Sequence, residues 1–349
     1  MLTLRQHPEY RTAGVVRKLI EASARAIDTM PPDAVELTAL ATEIADHLEP
    51  AAYPGDTIPR LRGAAWRERA YALFYTGAFA EAETALHASE SHFSDCSVEE
   101  YEMARVGIVR ALVERAMEKY VPAIESARTS ARVFKTFEDE TRSVSAQLAE
   151  VHLLFSCGKL DSAYATLMHL KAQLEHSGDN GTYARVLANL GYCCWRLGRS
   201  TEALTHHGAA AQLFEELGVY TDAVRERWNV ARVLAHEGRV DDAIPRLRML
   251  HIEFARLGML ASATQVNLDL AELLIERGAF SEVEEICRAA IAIFERSQLE
   301  QTSPALTALA LMREAAGHRA ATPALVRQVR DTIRRIPDQP KLLFAFPAE

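Results

Sequence analysis

One glycine position recurs every forty residues along the chain, and this spacing limits what the chain can fold into. Two further columns keep the same register, a small residue five positions after each glycine and a large apolar residue sixteen positions after it. Three columns in register over six units indicate a tandem repeat of one supersecondary unit. The glycine column holds Gly158, Gly198, Gly238 and Gly278, with Gly77 and Glu118 one residue off the spacing upstream. The other columns hold Ala82, Ala123, Ala163, Ala203, Ala243 and Val283, and Phe93, Phe134, Leu174, Phe214, Phe254 and Phe294.

Each forty-residue unit is predicted to be a helical hairpin. The glycine follows a helical pattern, where a left-handed C-terminal cap is needed and a residue without a side chain meets no steric cost. Polar residues three positions later are expected to be N-caps of the next helix. They are Asp161, Thr201, Asp241 and Ser281. The alanine column lets the two helices approach closely, and the large apolar column fills the gap to the next unit.

The stretch WRLGRSTEAL, residues 195–204, is therefore interpreted as the bend of one hairpin. A nucleophilic serine would need a base and an orienting third group, but the cap column holds Asp, Thr and Ser interchangeably. A phosphate-binding loop would need Gly-x4-Gly-Lys-Ser/Thr, which the sequence lacks. His206 and His207 point about 100° apart on a helix, which does not suit a shared metal. The sequence nominates no catalytic residue, no metal site and no cofactor.

Composition favours an all-helical protein. Of the 349 residues, 49% are hydrophobic and 7% aromatic, and apolar spacings of three and four recur while strand-like alternation is rare. The net charge of −9 argues against direct binding to nucleic acid or to an anionic membrane. No apolar run reaches the roughly 18 residues of a membrane span, and the first ten residues lack the core of a secretion signal. The five cysteines form no Cys-x-x-Cys pair, so we expect a cytoplasmic protein.

The columns resemble the tetratricopeptide repeat (TPR) family, in its longer 40-residue bacterial form. The family's leucine, glycine, turn glycine and two second-helix alanines correspond to Leu190, Gly191, Gly198, Ala203 and Ala210. The match covers residues 60–335, and Cys194 and His207 depart from the family's tyrosine and second-helix aromatic residue. The resemblance implies a right-handed superhelix, an α-solenoid of antiparallel helical hairpins whose concave face is formed by the first helices. The N-terminal half also resembles stand-alone bacterial TPR proteins associated with transcriptional regulation.

We predict three parts: an N-terminal helical cap at residues 1–59, an array of about seven hairpins at 60–336, and an apolar tail at 337–349. The cap is a degenerate hairpin followed by the hinge loop EPAAYPGDTIP. Ser303 and Thr322 each precede a proline and are expected to be N-caps of the last two helices. The tail, with Leu342, Leu343, Phe344 and Phe346, either covers the last hairpin's core or docks on a partner or a second copy of the chain.

Polar residues on the first helices form the candidate ligand site. Positions one turn apart share a helix face, so successive units present similar polar clusters toward the concave side. The candidates are Arg185, Asn189, Tyr192, Arg196, Arg225, Asn229, Arg232, Asp269 and Glu272. An asparagine amide can pair with the N–H and C=O of a peptide backbone, and arginines can hold carboxylates. Asparagines at this position grip the ligand backbone in peptide-binding TPR proteins, a role that the resemblance gives to Asn189 and Asn229.

These clusters predict a polarity along the groove. An acidic part of the ligand would meet the arginines of repeats four and five, and a basic part would meet Asp269 and Glu272 of repeat six. Two other interpretations stay open: a flat surface that docks a protein, or a solvated face whose charges pair with each other for about 0–1 kcal/mol.

We predict a non-enzymatic scaffold that binds a protein or an extended peptide on its concave face, in a regulatory or signalling complex. The alternative is a ligand-gated, peptide-sensing regulator that changes conformation on binding and acts through a partner protein. An enzyme is not expected, because the sequence nominates no active site. Besides a protein or peptide partner, we predict that the chain could associate with a second copy of itself through the C-terminal tail.

Overall fold

The computed structural model describes residues 10–27, 30–94, 96, 99–296 and 303–335. These residues form sixteen α-helices and a 3-10 helix at Pro50–Ala52, with no strand among them. The chain divides into two compact units, Met1–Leu170 and Lys171–Glu349. The first eight helices are α1 (Ala13–Ala26), α2 (Pro31–Asp46), α3 (Thr57–Tyr75), α4 (Phe79–Phe93), α5 (Glu99–Ala116), α6 (Tyr120–Thr136), α7 (Glu140–Ser156) and α8 (Leu160–Leu174). The next eight are α9 (Asn180–Arg196), α10 (Ser200–Glu216), α11 (Tyr220–His236), α12 (Val240–Arg256), α13 (Leu260–Glu276), α14 (Phe280–Arg296), α15 (Ser303–Gly317) and α16 (Pro323–Arg335).

Helices that follow one another along the chain pack together as hairpins. After the pair α1–α2, the first helices of successive hairpins are α3, α5 and α7 in the first unit and α9, α11 and α13 in the second. Within each unit these first helices also contact one another in that order. We call the surface that they form the first-helix face of that unit.

The helices from α6 to α14 begin every twenty residues, at half the period read from the sequence. Each predicted glycine cap is confirmed: Gly158, Gly198, Gly238 and Gly278 have φ of 68°, 75°, 72° and 71°. The turns between hairpins hold glycines in the same conformation, Gly178, Gly218 and Gly258, which the forty-residue columns had left out. At Gly198, the N–H of Arg199 donates to the carbonyl of Cys194 at 2.8 Å, the bond that closes a Schellman cap.

The predicted N-caps after these glycines are wrong by two residues. Helix α10 begins at Ser200, with Arg199 as its N-cap, so Thr201 lies in the first turn. Asp161, Asp241 and Ser281 lie in the first turns of α8, α12 and α14 in the same way. The chain re-enters a helix immediately after the glycine cap, which leaves no room for a separate polar cap. Acidic residues in the first turn still complement the helix dipole.

Polar side chains cap helices elsewhere in the chain. Asp139 and Asp179 accept hydrogen bonds at 3.0 Å from the N–H groups of Arg142 and Thr182, at the starts of α7 and α9. The predicted cap Thr322 is confirmed, because its Oγ1 accepts the N–H of Leu325 at 3.2 Å. The side chain of Ser303, the other predicted cap at this end, lies outside the described residues.

Two turns hold a glutamate where the later turns hold glycine. Glu118 and Glu138 have φ of 59° and 57°, a conformation that costs a residue with a side chain about 1 kcal/mol or more. Since glycine recovers this cost but loses more backbone entropy on folding, we expect Glu118→Gly to raise the free energy of unfolding of the first unit by about 0.5 kcal/mol. Urea unfolding measures this change. Gly198→Ala should act in the opposite direction in the second unit, and a destabilised Glu118→Gly variant would contradict the turn geometry.

The alanine and large apolar columns are buried, as predicted. Every member of the small-residue column, Ala82, Ala123, Ala163, Ala203, Ala243 and Val283, is 0% exposed. Phe93, Phe134, Leu174, Phe214 and Phe254 are also buried, while the side chain of Phe294 lies outside the described residues. His207 fills the second-helix aromatic position, and a Cβ on Gly191 would lie 2.6 Å from its Nδ1. A glycine is therefore required there for close packing of α9 on α10.

Both ends of the repeat array depart from a regular hairpin. Helices α1 and α2 pack on α3 around Val16, Leu40 and Ile58, and the N–H of Ala13 donates to the hydroxyl of Tyr53 at 3.2 Å. At the other end, α16 packs against α13 as well as against α15. The tail at 337–349 lies outside the described residues, and the division into 1–59, 60–336 and 337–349 stays a prediction.

Candidate functional site

The candidate residues lie on the first-helix face of the second unit. Helices α9, α11 and α13 are each seventeen residues long and begin at residues 180, 220 and 260. Asn189, Asn229 and Asp269 therefore occupy the same position in successive helices. The structure brings Arg232, Asp269 and Glu272 to a single cavity and leaves the other candidates on the adjoining surface of α9 and α11.

The cavity measures about 260 Å³. Its polar and aromatic lining comes from Trp195, Arg232, His236, Asp269, Glu272, Glu276 and, from α16, Arg330. This volume is below the roughly 300–1,000 Å³ of pockets that enclose a whole small molecule. The cavity therefore suits one side chain of a longer ligand better than a free metabolite.

Two tryptophans hold Arg232 over the cavity. Its guanidinium carbon lies 5.2 Å from the ring centroid of Trp195 and 5.8 Å from that of Trp228, distances typical of cation–π contacts. Trp228 donates its Nε1–H to Oδ2 of Asp269 at 2.8 Å, and Nε of Arg232 lies 3.8 Å from the same oxygen. The sequence columns did not identify either tryptophan as a site residue, because the contacts of Arg232 depend on how neighbouring helices pack.

The acidic end of the site already has a basic partner within the chain. Arg330 of α16 lies 2.7 Å from Oε2 of Glu272 and 3.1 Å from Oδ1 of Asp269, and it donates to the carbonyl of Leu268 at 3.3 Å. Arg327 lies 2.7 Å from Oε1 of Glu272. Burial raises the pKa of the Asp269 carboxyl, while the charges of Arg330 and Arg232 lower it. A basic ligand group would thus compete with α16 for these carboxylates, a competition that sequence spacing did not predict.

The two asparagines are held by their own helices. Asn189 donates its Nδ2 to the carbonyl of Arg185 at 2.9 Å, and Asn229 donates to the carboxylate of Glu226 at 3.4 Å. Among the described residues, no hydrogen bond reaches the amide oxygen of Asn189. Each asparagine is partly exposed. Their side chains are thus oriented, and Asn189 retains an acceptor for a ligand.

The remaining candidates lie around the asparagines on α9 and α11. Arg196 donates to the hydroxyl of Tyr192 at 2.6 Å, with its guanidinium 5.7 Å from that ring. Arg225 is exposed and pairs with Asp222 at 2.9 Å, and Arg185 is exposed as well. These pairs are exposed to solvent and contribute little to stability, so a ligand carboxylate could replace them at little cost.

Metal ligation and membrane crossing find no support in the parts of the chain that the structure describes. Within them, no three His, Cys, Asp or Glu side chains are placed to hold a metal ion. No helix in these ranges combines the length and the apolar character that a bilayer crossing requires.

Comparison with known proteins shows similarity in structure only. No family model matches the sequence, and a search of curated proteins finds no match. Aspartyl phosphate phosphatase F from Bacillus subtilis has a TM-score of 0.55 at 12% identity, over 97% of this chain and 98% of that one. A Rap protein complexed with competence and sporulation factor has a TM-score of 0.50 at 14% identity, over 94% and 100%. A signal transduction ATPase from Pyrococcus horikoshii with a tetratricopeptide repeat sensor has a TM-score of 0.63 at 12% identity, over 95% of this chain and 48% of that one.

These similarities define the class of fold. The chain is an all-α repeat protein with the fold of TPR-type proteins, as the glycine and alanine columns predicted. Rap proteins are among the structures that it resembles.

Proposed function

We propose that this chain is a non-enzymatic regulatory protein that binds an extended peptide on the first-helix face of its second unit. The observation that carries the proposal is the cavity of about 260 Å³ beside Arg232, Asp269 and Glu272, which lies on the same first-helix face as two oriented asparagines in register. A peptide could place a side chain in this cavity while its backbone pairs with Asn189 and Asn229.

The similar structures support a binding role. The Rap protein described above is complexed with competence and sporulation factor, and the repeats of the Pyrococcus horikoshii protein are named a sensor. One similar structure is named a phosphatase. That this chain has no enzymatic activity is therefore part of what we propose. We propose further that the protein is bacterial and cytoplasmic, and that a superhelix makes the binding face concave. Self-association through the tail at 337–349 stays a prediction.

A ligand-gated regulator is the second candidate, and one contact favours it. The pairing of α16 with Asp269 and Glu272 occupies the acidic end of the groove, so a ligand with a basic group would have to displace Arg330. Such a ligand would shift the conformational equilibrium toward a state in which α16 is released. The size of the shift is set by the difference in the ligand's affinity for the two states. A passive scaffold would bind without changing the protection of α16 amides against hydrogen exchange.

The binding proposal is tested with a randomised hexapeptide library on the purified full chain. Neighbouring helices lie about 8–10 Å apart, so an extended peptide at about 3.3 Å per residue crosses three first helices in about six residues. Asn189→Ala combined with Asn229→Ala should weaken the selected peptides about tenfold or more, because two hydrogen bonds are lost. Fluorescence anisotropy measures the affinities.

The control is Gln212→Ala, which removes an exposed amide from the second helix α10, where it bonds Glu216 of the same helix. This variant should bind like the wild type. If the selected peptides bind the wild type and the asparagine variant with equal affinity, the binding site does not lie on the first-helix face. They would favour a flat docking surface elsewhere.

A further inference from the structure

The first unit carries a cluster of cations on its own first helices. Arg67 of α3, Arg105 of α5 and Arg142 of α7 line one cavity of about 220 Å³. The remaining lining is mostly apolar, including Phe134, with one hydroxyl from Ser145. No carboxylate is among these lining residues. Three guanidinium groups therefore face this cavity, and the carboxylates that pair with them lie outside its lining.

Carboxylates outside the lining hold the arginines in place. Glu102 is buried and lies 2.9 Å from Arg67 and 3.1 Å from Arg105, so it joins the first two arginines. Arg67 is itself buried and lies 2.9 Å from Glu68. These bonds bring two cations of neighbouring helices close together, and they orient both guanidinium groups before any ligand arrives.

The third arginine is held by a separate set of contacts. Arg142 donates to Oδ2 of Asp139 at 2.5 Å and to the hydroxyl of Tyr101 at 2.9 Å, in both cases from Nη1. Arg105 likewise uses Nη1 for its bonds to Glu102. A guanidinium carries five N–H donors. Among the described residues, no hydrogen bond uses Nε or Nη2 of either arginine, so these donors can serve a further acceptor.

The electrostatics of Arg105 favour an anionic acceptor. Burial lowers the pKa of Arg105, and so does the nearby charge of Arg67, while Glu102 and Glu68 raise it. An anion between Arg67 and Arg105 would offset the repulsion between these two cations. A planar fork of donors matches the geometry of carboxylate and phosphate oxygens.

We propose that the cavity between Arg67, Arg105 and Arg142 is a binding site for an oxyanion, either the carboxylate of an acidic side chain or a phosphate group. The cavity is smaller than the roughly 300 Å³ at which pockets begin to enclose whole small molecules. It therefore takes one charged group of a ligand. This site is independent of the peptide site proposed for the second unit, and neither proposal depends on the other.

The test is a titration of the ¹⁵N-labelled full chain, with ionic strength held constant by chloride. Inorganic phosphate is the probe in one arm and acetyl-glutamate amide in the other. We expect saturable shifts of the Nε–Hε NMR signals of Arg105 and Arg142. Arg105→Gln should weaken binding about tenfold or more, since it removes a charged hydrogen-bond donor. The matched control is Arg110→Gln on the same helix, where Arg110 pairs with Glu90 instead, and this variant should bind like the wild type.

A second variant, Arg142→Gln, keeps the test independent of folding. The side chain of Arg105 is 32% exposed and that of Arg142 is 51% exposed, so Arg105→Gln and Arg142→Gln should both fold, and circular dichroism checks this. Saturation by phosphate alone would assign the site to a phosphate, and saturation by acetyl-glutamate amide would assign it to an acidic side chain. Either result supports the site if Arg105→Gln and Arg142→Gln weaken binding and Arg110→Gln does not. The proposal is overturned if neither probe saturates, or if Arg105→Gln and Arg142→Gln bind like the wild type.

Discussion

Phe254→Ala should lower the free energy of unfolding of the second unit by about 3–5 kcal/mol. The ring is 0% exposed and packs edge-on against Trp228, with 5.7 Å between the ring centroids. Its loss leaves a cavity where α12 packs on α11. The measurement is urea unfolding followed by tryptophan fluorescence in a Trp66→Phe background, where Trp195 and Trp228 remain as reporters of the second unit.

The control for this prediction is Met249→Ala on the same helix, α12. Met249 is 60% exposed, so its truncation should change stability by about 0.5 kcal/mol or less. If the two variants lose similar stability, the large apolar column does not hold the two helices of a hairpin together. The repeat packing would then need another explanation.

Arg330→Met should lower the stability of the second unit by about 3 kcal/mol, since it removes the least exposed cation that pairs with two partly buried carboxylates. The side chain of Arg330 is 15% exposed and those of Asp269 and Glu272 are 13% and 18% exposed. Methionine keeps most of the aliphatic stem and removes the charge. Chemical unfolding gives the stability, and hydrogen exchange of the α16 amides should show faster opening in the variant.

Arg327→Met is the matched control, because Arg327 contacts the same Glu272 from a side chain that is 57% exposed. Exposed ion pairs contribute about 0–1 kcal/mol, so this variant should stay close to the wild type. Equal losses in the two variants would mean that the acidic end of the site does not depend on a buried pair.

The fold could be predicted from the sequence because its determinants are local and repeated. A glycine with positive φ, an alanine at the helix contact and a phenylalanine late in the second helix each act within one hairpin, so each recurs at the same spacing. Two features of the turns were not predicted correctly. Gly178, Gly218 and Gly258 were overlooked because the columns were built on turns of one kind. The N-caps were misplaced because a glycine cap lets the next helix begin two residues earlier than a separate polar cap would.

The site was predicted less completely than the fold. Helical register placed Asn189, Asn229 and Asp269 at equivalent positions, since a constant helix length preserves the face that each residue occupies. The ion pair between Arg327 and Glu272 joins residues 55 apart in the chain. It depends on how α16 packs against α13, and no periodic pattern encodes that contact. The stacking of Arg232 between two tryptophans likewise requires the spacing of neighbouring helices.

The most direct test of a peptide site on the first-helix face is photo-crosslinking. The probe is the hexapeptide from the library that binds with the highest affinity, carrying a benzophenone at each position in turn. Mass spectrometry of the crosslinked full chain locates the attachment sites. We expect attachment on α9 and α11, near Asn189 and Asn229, and for one peptide position beside the cavity at Arg232. Attachment confined to the second helices α10 and α12, or to the first unit, would contradict a peptide site on the first-helix face of the second unit.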